Sequence, residues 1–134
     1  MPAPVPRRGA PREGRGTVGP VGTDRGRLGR RGEDLAAAWY QRRGYRVLSR
    51  NWRCPEGEID LVCRRGPTVV ICEVKTRTSA AFGPPQAAIG AAKRRRLRKL
   101  AARWLGATGT RCAVVRFDVA AVHGDLVEVL EGAW

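Results

Sequence analysis

The sequence predicts a small mixed α/β domain: a modest sheet with helices packed on it. Three observations predict it. An amphipathic helical run precedes three strand-like runs joined by tight turns, a second long helical run follows the third of these, and the C-terminal part returns to strand-like residues. That order, α, three strands, α, two strands, belongs to layered folds in which helices cover a mixed sheet. A length of 134 residues suits one such domain.

Each element has its own signal. Residues 1–24 are rich in Pro, Gly and Arg and nearly free of large apolar side chains. Such a stretch buries too little to offset its ordering entropy, and it is expected to be a disordered basic arm ahead of a folded domain at 25–134. A first helix is predicted from Gly26 to Arg43, with Leu28, Leu35, Ala36, Trp39 and Tyr40 in helical spacing and Gly44 as its stop. Strands follow at Tyr45–Arg53, Glu58–Arg64 and Thr68–Thr76. They are separated by Cys54-Pro55-Glu56-Gly57 and Arg65-Gly66-Pro67, and such short links favour antiparallel neighbours. A loop at Thr78–Pro85 leads into a second helix, Gln86–Leu105, whose buried stripe is Ile89, Leu97, Leu100, Ala101 and Trp104. Two strands close the chain, Arg111–Val122 and Leu126–Leu130.

Composition narrows the partners. There are 26 Lys and Arg against 12 Asp and Glu, a net charge of +14. Residues 1–31 carry +6 of this and the remainder +8, so the folded part is basic in its own right. Codon bias can raise Arg content, but it does not explain the shortfall of acids. A basic excess attracts phosphates and releases their counterions, which points to nucleic acid. Cys54, Cys63, Cys72 and Cys112 form no C-x-x-C pair and there is a single His123, so a zinc site is not expected. The cysteines read as free thiols of a reducing cytoplasm. No apolar run approaches the ~18 residues of a transmembrane helix, and no membrane partner is expected.

The chemistry is concentrated in two segments, Gly57-Glu58-Ile59-Asp60-Leu61-Val62 and Val70-Ile71-Cys72-Glu73-Val74-Lys75-Thr76-Arg77. Alternation along a strand places Glu73 and Lys75 on one face, about 6.6–6.8 Å apart, with Val70, Cys72 and Val74 on the other. A tight turn makes the second and third strands neighbours, which brings Asp60 beside Glu73. Two carboxylates at about 4 Å repel by roughly 4 kcal/mol at an effective dielectric near 20. A proton, a lysine or a divalent cation relieves that. Mg²⁺ takes oxygen ligands, typically one or two carboxylates with water and phosphate, and Lys75 lies within reach of such a group. An ordinary ion-pair cluster is the bland reading of a short D…E-x-K pattern. Against it, charged residues interrupt two otherwise apolar strands at matching places.

These segments resemble the YraN family of small bacterial proteins, related to archaeal Holliday-junction resolvases and restriction endonucleases. The resemblance extends to Gly32-Glu33-Asp34-Leu35-Ala36, Gly44-Tyr45, Arg50-Asn51-Trp52-Arg53, Phe82-Gly83, and Lys93 with Arg94, spanning about residues 28–130. It implies a restriction-endonuclease-like αβββαβ core, with Asp60 and Glu73 as ligands of Mg²⁺ (or Mn²⁺), Lys75 as the catalytic lysine, and Glu33 as the first-helix glutamate that resolvases use. It also raises a homodimer, since a junction needs two cuts.

Further residues are weighed beside these. Gln86 opens the second helix near the end of the third strand, where it would orient water or simply start the helix. Arg77 would clamp a phosphate or pair with Glu73. Lys93, Arg94, Arg95, Arg96 and Lys99 exceed what solvation requires and are expected to contact a nucleic-acid backbone, with DNA favoured. Glu58 reads as a surface acid, Trp39, Trp52 and Trp104 as packing residues, and Trp134 as an uninformative terminus. The functional expectation is a Mg²⁺-dependent endonuclease hydrolysing phosphodiesters in structured DNA, branched forms among the candidates. The alternatives are a DNA- or RNA-binding module of the same fold that does not cut, and an RNA- or ribosome-associated basic protein.

Overall fold

The computed structural model describes residues 23–77 and 89–134, with side chains from Gly29 onward in the first helix. The elements are α1 (Thr23–Arg42), β1 (Arg46–Cys54), β2 (Gly57–Arg65), β3 (Thr68–Arg77), α2 (Ala91–Thr108), β4 (Val114–His123) and β5 (Leu126–Leu130). The five strands form one sheet in the order β1-β2-β3-β4-β5. The hairpin-linked pairs β1–β2, β2–β3 and β4–β5 are antiparallel, whereas β3 and β4, joined through α2, are parallel. A parallel pair needs a crossover long enough to return the chain to its starting edge, and α2 supplies it. The αβββαβ order implied by the resemblance is therefore present, with β5 added at the edge.

Each face of the sheet carries one helix. On the first, Ala36, Ala37 and Tyr40 of α1 pack with Tyr45, Leu61, Cys63, Val70, Cys72 and Ala120. On the second, Leu97, Leu100, Ala101 and Trp104 of α2 pack with Ile59, Val62, Val69, Ile71 and Phe117. Strand alternation explains the division: Val70, Cys72 and Val74 serve α1, and Val69 and Ile71 serve α2. Helix α1 can approach the far end of β3 because position 32 is glycine. A Cβ there would collide with Thr76 Oγ1. The helix ends as expected, with Gly44 at φ 87° and the Gly44 and Tyr45 amides donating to Gln41 and Tyr40 carbonyls.

Several expected boundaries move. Helix α1 begins at Thr23, so the last two residues assigned to the arm are helical; residues 1–22, the Thr78–Pro85 loop, Phe82-Gly83 and Gln86 lie outside the described residues. Helix α2 starts at Ala91, after an extended Gly90 (φ −82°, ψ 172°), and Ile89 is buried ahead of the helix instead of within it. It runs through Gly106 to Thr108, because Gly109 is the residue that takes the left-handed backbone and donates to the Leu105 carbonyl. Strand β4 starts at Val114, since the Ala113 and Val114 amides are first used by the Pro67 carbonyl. Trp134 is informative after all: its ring stacks on Phe117 with centroids 5.4 Å apart. Among the described residues no helix is long and apolar enough to cross a membrane.

Candidate functional site

The pairing of β2 with β3 is regular from Arg65–Thr68 to Leu61–Cys72 and goes no further. Asp60 and Glu73 are the next residues on the two strands, just past the end of the ladder. Here the ladder is replaced by a side chain: the Val74 amide donates to Asp60 Oδ2 at 2.8 Å. The alternation of β2 breaks at the same point, since Ile59 packs under α2 and Leu61, two residues on, under α1. The sheet opens at this end, and the opening holds the acids.

Burial and like charge set their chemistry. Desolvation, then the neighbouring Glu73 charge, push the Asp60 carboxyl up to about 8, against the opposing hydrogen bond from Val74. Glu33 and Glu58 add smaller repulsions, which places α1's Glu33 in the same field. Burial raises the Glu33 pKa as well, opposed by the Asn51 amide, whose Nδ2 lies 2.9 Å from Glu33 Oε1, and by Arg50. Glu73 is only 6% exposed, and two ammonium groups meet its Oε2: Lys93 at 2.9 Å and Lys75 at 3.7 Å.

The structure thus brings Asp60, Glu73 and Lys75 together, with Glu33, held by Asn51, near enough to repel the Asp60 charge. Lys93 joins them and departs from its expected role: it turns inward from α2 to pair with Glu73, so it is not a purely outward backbone contact. Arg95, Arg96 and Lys99 are exposed on α2, whereas Arg94 is half-buried, its guanidinium 5.9 Å from the Trp134 ring centroid. Arg77 is half-buried at the end of β3, on the Glu73–Lys75 side. Glu58 pairs with Arg53 across the β1–β2 hairpin at 2.9 Å and belongs to the surface. Among the described residues no three His, Cys, Asp or Glu side chains converge into a ready-made metal cage. The donors that are present suit a hard cation needing one or two carboxylates: all are oxygens, and Asp60 and Glu73 are costly to keep together as anions. That fit requires the Lys93 ammonium to give way.

Two side-chain contacts had no signal in the sequence. Asn51 reaches Glu33 from a backbone with φ 52°. Asp118, fully buried in β4, accepts from Tyr40 Oη at 2.6 Å, from two guanidinium nitrogens of Arg116 at 2.8 and 2.9 Å, and from the Gly132 amide at 3.0 Å. This network ties α1, β4 and the C-terminus together. Its environment keeps nearby thiols protonated: burial pushes Cys63 up to about 12 and Cys72 well above its ordinary value. All four cysteines are free.

Comparison with known proteins agrees with the local resemblance. The model of the Uncharacterised protein family UPF0102 matches residues 32–122. A UPF0102 protein of Beutenbergia cavernae is 52% identical over 95 residues, covering 71% of this chain and 80% of the relative. One from Moorella thermoacetica is 48% identical over 116 residues, covering 82% and 97%. One from Streptomyces griseus is 55% identical over 85 residues, covering 63% and 71%. The matched stretch contains Glu33, Asn51, Asp60, Glu73, Lys75 and Lys93, and the chain belongs to the UPF0102 family, the family of YraN.

Proposed function

We propose that the protein is a nucleic-acid-binding endonuclease that hydrolyses phosphodiesters of structured, branched DNA with Mg²⁺ or Mn²⁺ held by Asp60 and Glu73. The observation that carries this reading is the acidic pair, Glu73 buried and Asp60 half-buried, at the open end of the β2–β3 ladder, with Lys75 and Lys93 beside it. A pure binder gains nothing from keeping two carboxyl groups within each other's electrostatic reach. A divalent ion there would supply charge neutralisation for the phosphate and acidity for a water molecule. The chain's own groups do the rest. Lys75 donates to the attacking water or to a phosphate oxygen and holds it in line. Water oxygen forms the new P–O bond and gives up a proton to solvent as the ester P–O bond breaks, and the leaving oxygen takes a proton from solvent. Arg95, Arg96 and Lys99 hold the flanking backbone by phosphate contacts, which position without reading sequence.

A second reading is favoured by one observation. The 2.9 Å Lys93–Glu73 ion pair already neutralises Glu73 without a metal, as a binding module of this fold that does not cut would require. Incubation of the protein with four-way junction, duplex and single-stranded DNA, with Mn²⁺, Mg²⁺ or EDTA, separates the two. The nuclease reading expects metal-dependent cutting that Asp60→Ala, Glu73→Ala and Lys75→Ala each abolish while DNA binding persists. Binding without cutting on every substrate refutes it in favour of the module.

A further inference from the structure

Asn51 is the single residue other than glycine with a positive φ among the described residues. It adopts this backbone inside β1, where its neighbours pair regularly: Arg50 with Leu61 and Trp52 with Ile59. That register leaves Asn51 and Asp60 facing each other between the two pairs, and the β2–β3 ladder stops at Leu61–Cys72, one residue short of Asp60 and Glu73. Asn51, Asp60 and Glu73 therefore lie at the open end of three adjacent strands, and Glu33 of α1 reaches this end through Asn51. A left-handed conformation is strained for a residue with a Cβ, although Asn tolerates it better than most. Its amide nitrogen donates to Glu33 Oε1 at 2.9 Å. A carboxylate only accepts, so the contact demands the NH₂ side of the amide. Strain of this kind persists where the surroundings over-determine it, and here it sits beside the acids.

We infer that Asn51 is a positioning residue whose left-handed backbone aims its amide at Glu33 and fixes that carboxylate on the α1 side of the Asp60–Glu73 pair. This rests on the cation-site reading above. Glycine would serve the backbone at least as well as asparagine, so a merely conformational role leaves the side chain idle. A positioning role makes the side chain the reason for the strain.

The test is Asn51→Gly, which keeps the left-handed backbone and deletes the amide. Thermal melting in EDTA should be unchanged or higher for the variant. Mn²⁺ binding by calorimetry should weaken by about 10–100-fold, the usual consequence of losing a partner that orients a metal ligand. Affinity for DNA in EDTA should stay the same. Glu33→Gln should show a similar loss of Mn²⁺ affinity, and the double variant should be no worse than Glu33→Gln alone, because both remove one unit. Wild-type Mn²⁺ affinity in Asn51→Gly, or losses that multiply in the double variant, overturns the positioning role and leaves the cation site standing. A wild-type protein that neither binds Mn²⁺ nor cuts overturns the site reading and this role together.

Discussion

Asp60→Asn should make the metal-free protein more stable above neutral pH, and the size of the effect follows from the site. The carboxyl rises from 3.8 in the ordinary case to about 8 in the fold. Between those values the native state holds a proton that the unfolded chain releases, so stability is fullest at low pH and drains as pH rises toward 8. At about 1.4 kcal/mol per pH unit the whole interval is worth at most about 6 kcal/mol. Water at the partly exposed carboxyl screens this to about 2–4 kcal/mol. At about 4 °C per kcal/mol for a domain of this size, that is a fall in Tm of roughly 8–16 °C. Asparagine retains an oxygen for the Val74 amide but cannot ionise. In EDTA, wild-type Tm should drop between pH 5 and pH 8.5. The variant should lose much less and melt above wild type at the higher pH, with a small residual slope from Glu33, whose pKa is also raised by burial. Mg²⁺ at pH 8.5 should then stabilise wild type and leave the variant unmoved. A wild-type Tm that is flat or rises with pH, or a variant that parallels it, would refute the claim that desolvation and Glu73 govern Asp60.

Other perturbations test the remaining parts. Lys93→Met removes the ammonium that holds Glu73 at 2.9 Å and should tighten Mn²⁺ binding several-fold by calorimetry; unchanged affinity would show that lysine and cation do not compete. Asp118→Ala leaves Arg116 and Tyr40 facing a buried void and should cost about 3–5 kcal/mol in urea unfolding, with DNA affinity of the folded fraction intact; a loss under about 1 kcal/mol would make the network dispensable. Replacing Arg95, Arg96 and Lys99 together by Gln should reduce the slope of log K against log salt for duplex DNA by about 3, read by fluorescence anisotropy. An unchanged slope would exclude that face of α2 from the contact.

The elements and the acid pair were legible because their information is local. Period-2 alternation assigns Val70, Cys72 and Val74 to one face and Glu73 and Lys75 to the other, and a tight Arg65-Gly66-Pro67 turn makes β2 and β3 neighbours, so Asp60 had to fall near Glu73. Helical spacing likewise exposed the α2 stripe of Leu97, Leu100, Ala101 and Trp104. Helix ends were less legible: the pattern allowed a stop at Leu105, and only the backbone of Gly109 decided the actual one.

What the amino-acid order alone determined, then, was a basic mixed α/β chain with two carboxylates and a lysine on adjoining strands. Docking decided the rest. A helix's periodicity defines a face but not the angle at which it crosses a sheet, so whether Lys93 looked outward to phosphate or inward to Glu73 depended on how α2 settled. Asn51 and Asp118 depended on partners 18 and 78 residues away in sequence, Glu33 and Tyr40. Contacts of that range leave no local spacing to read. They exist only once burial has closed both layers over the sheet.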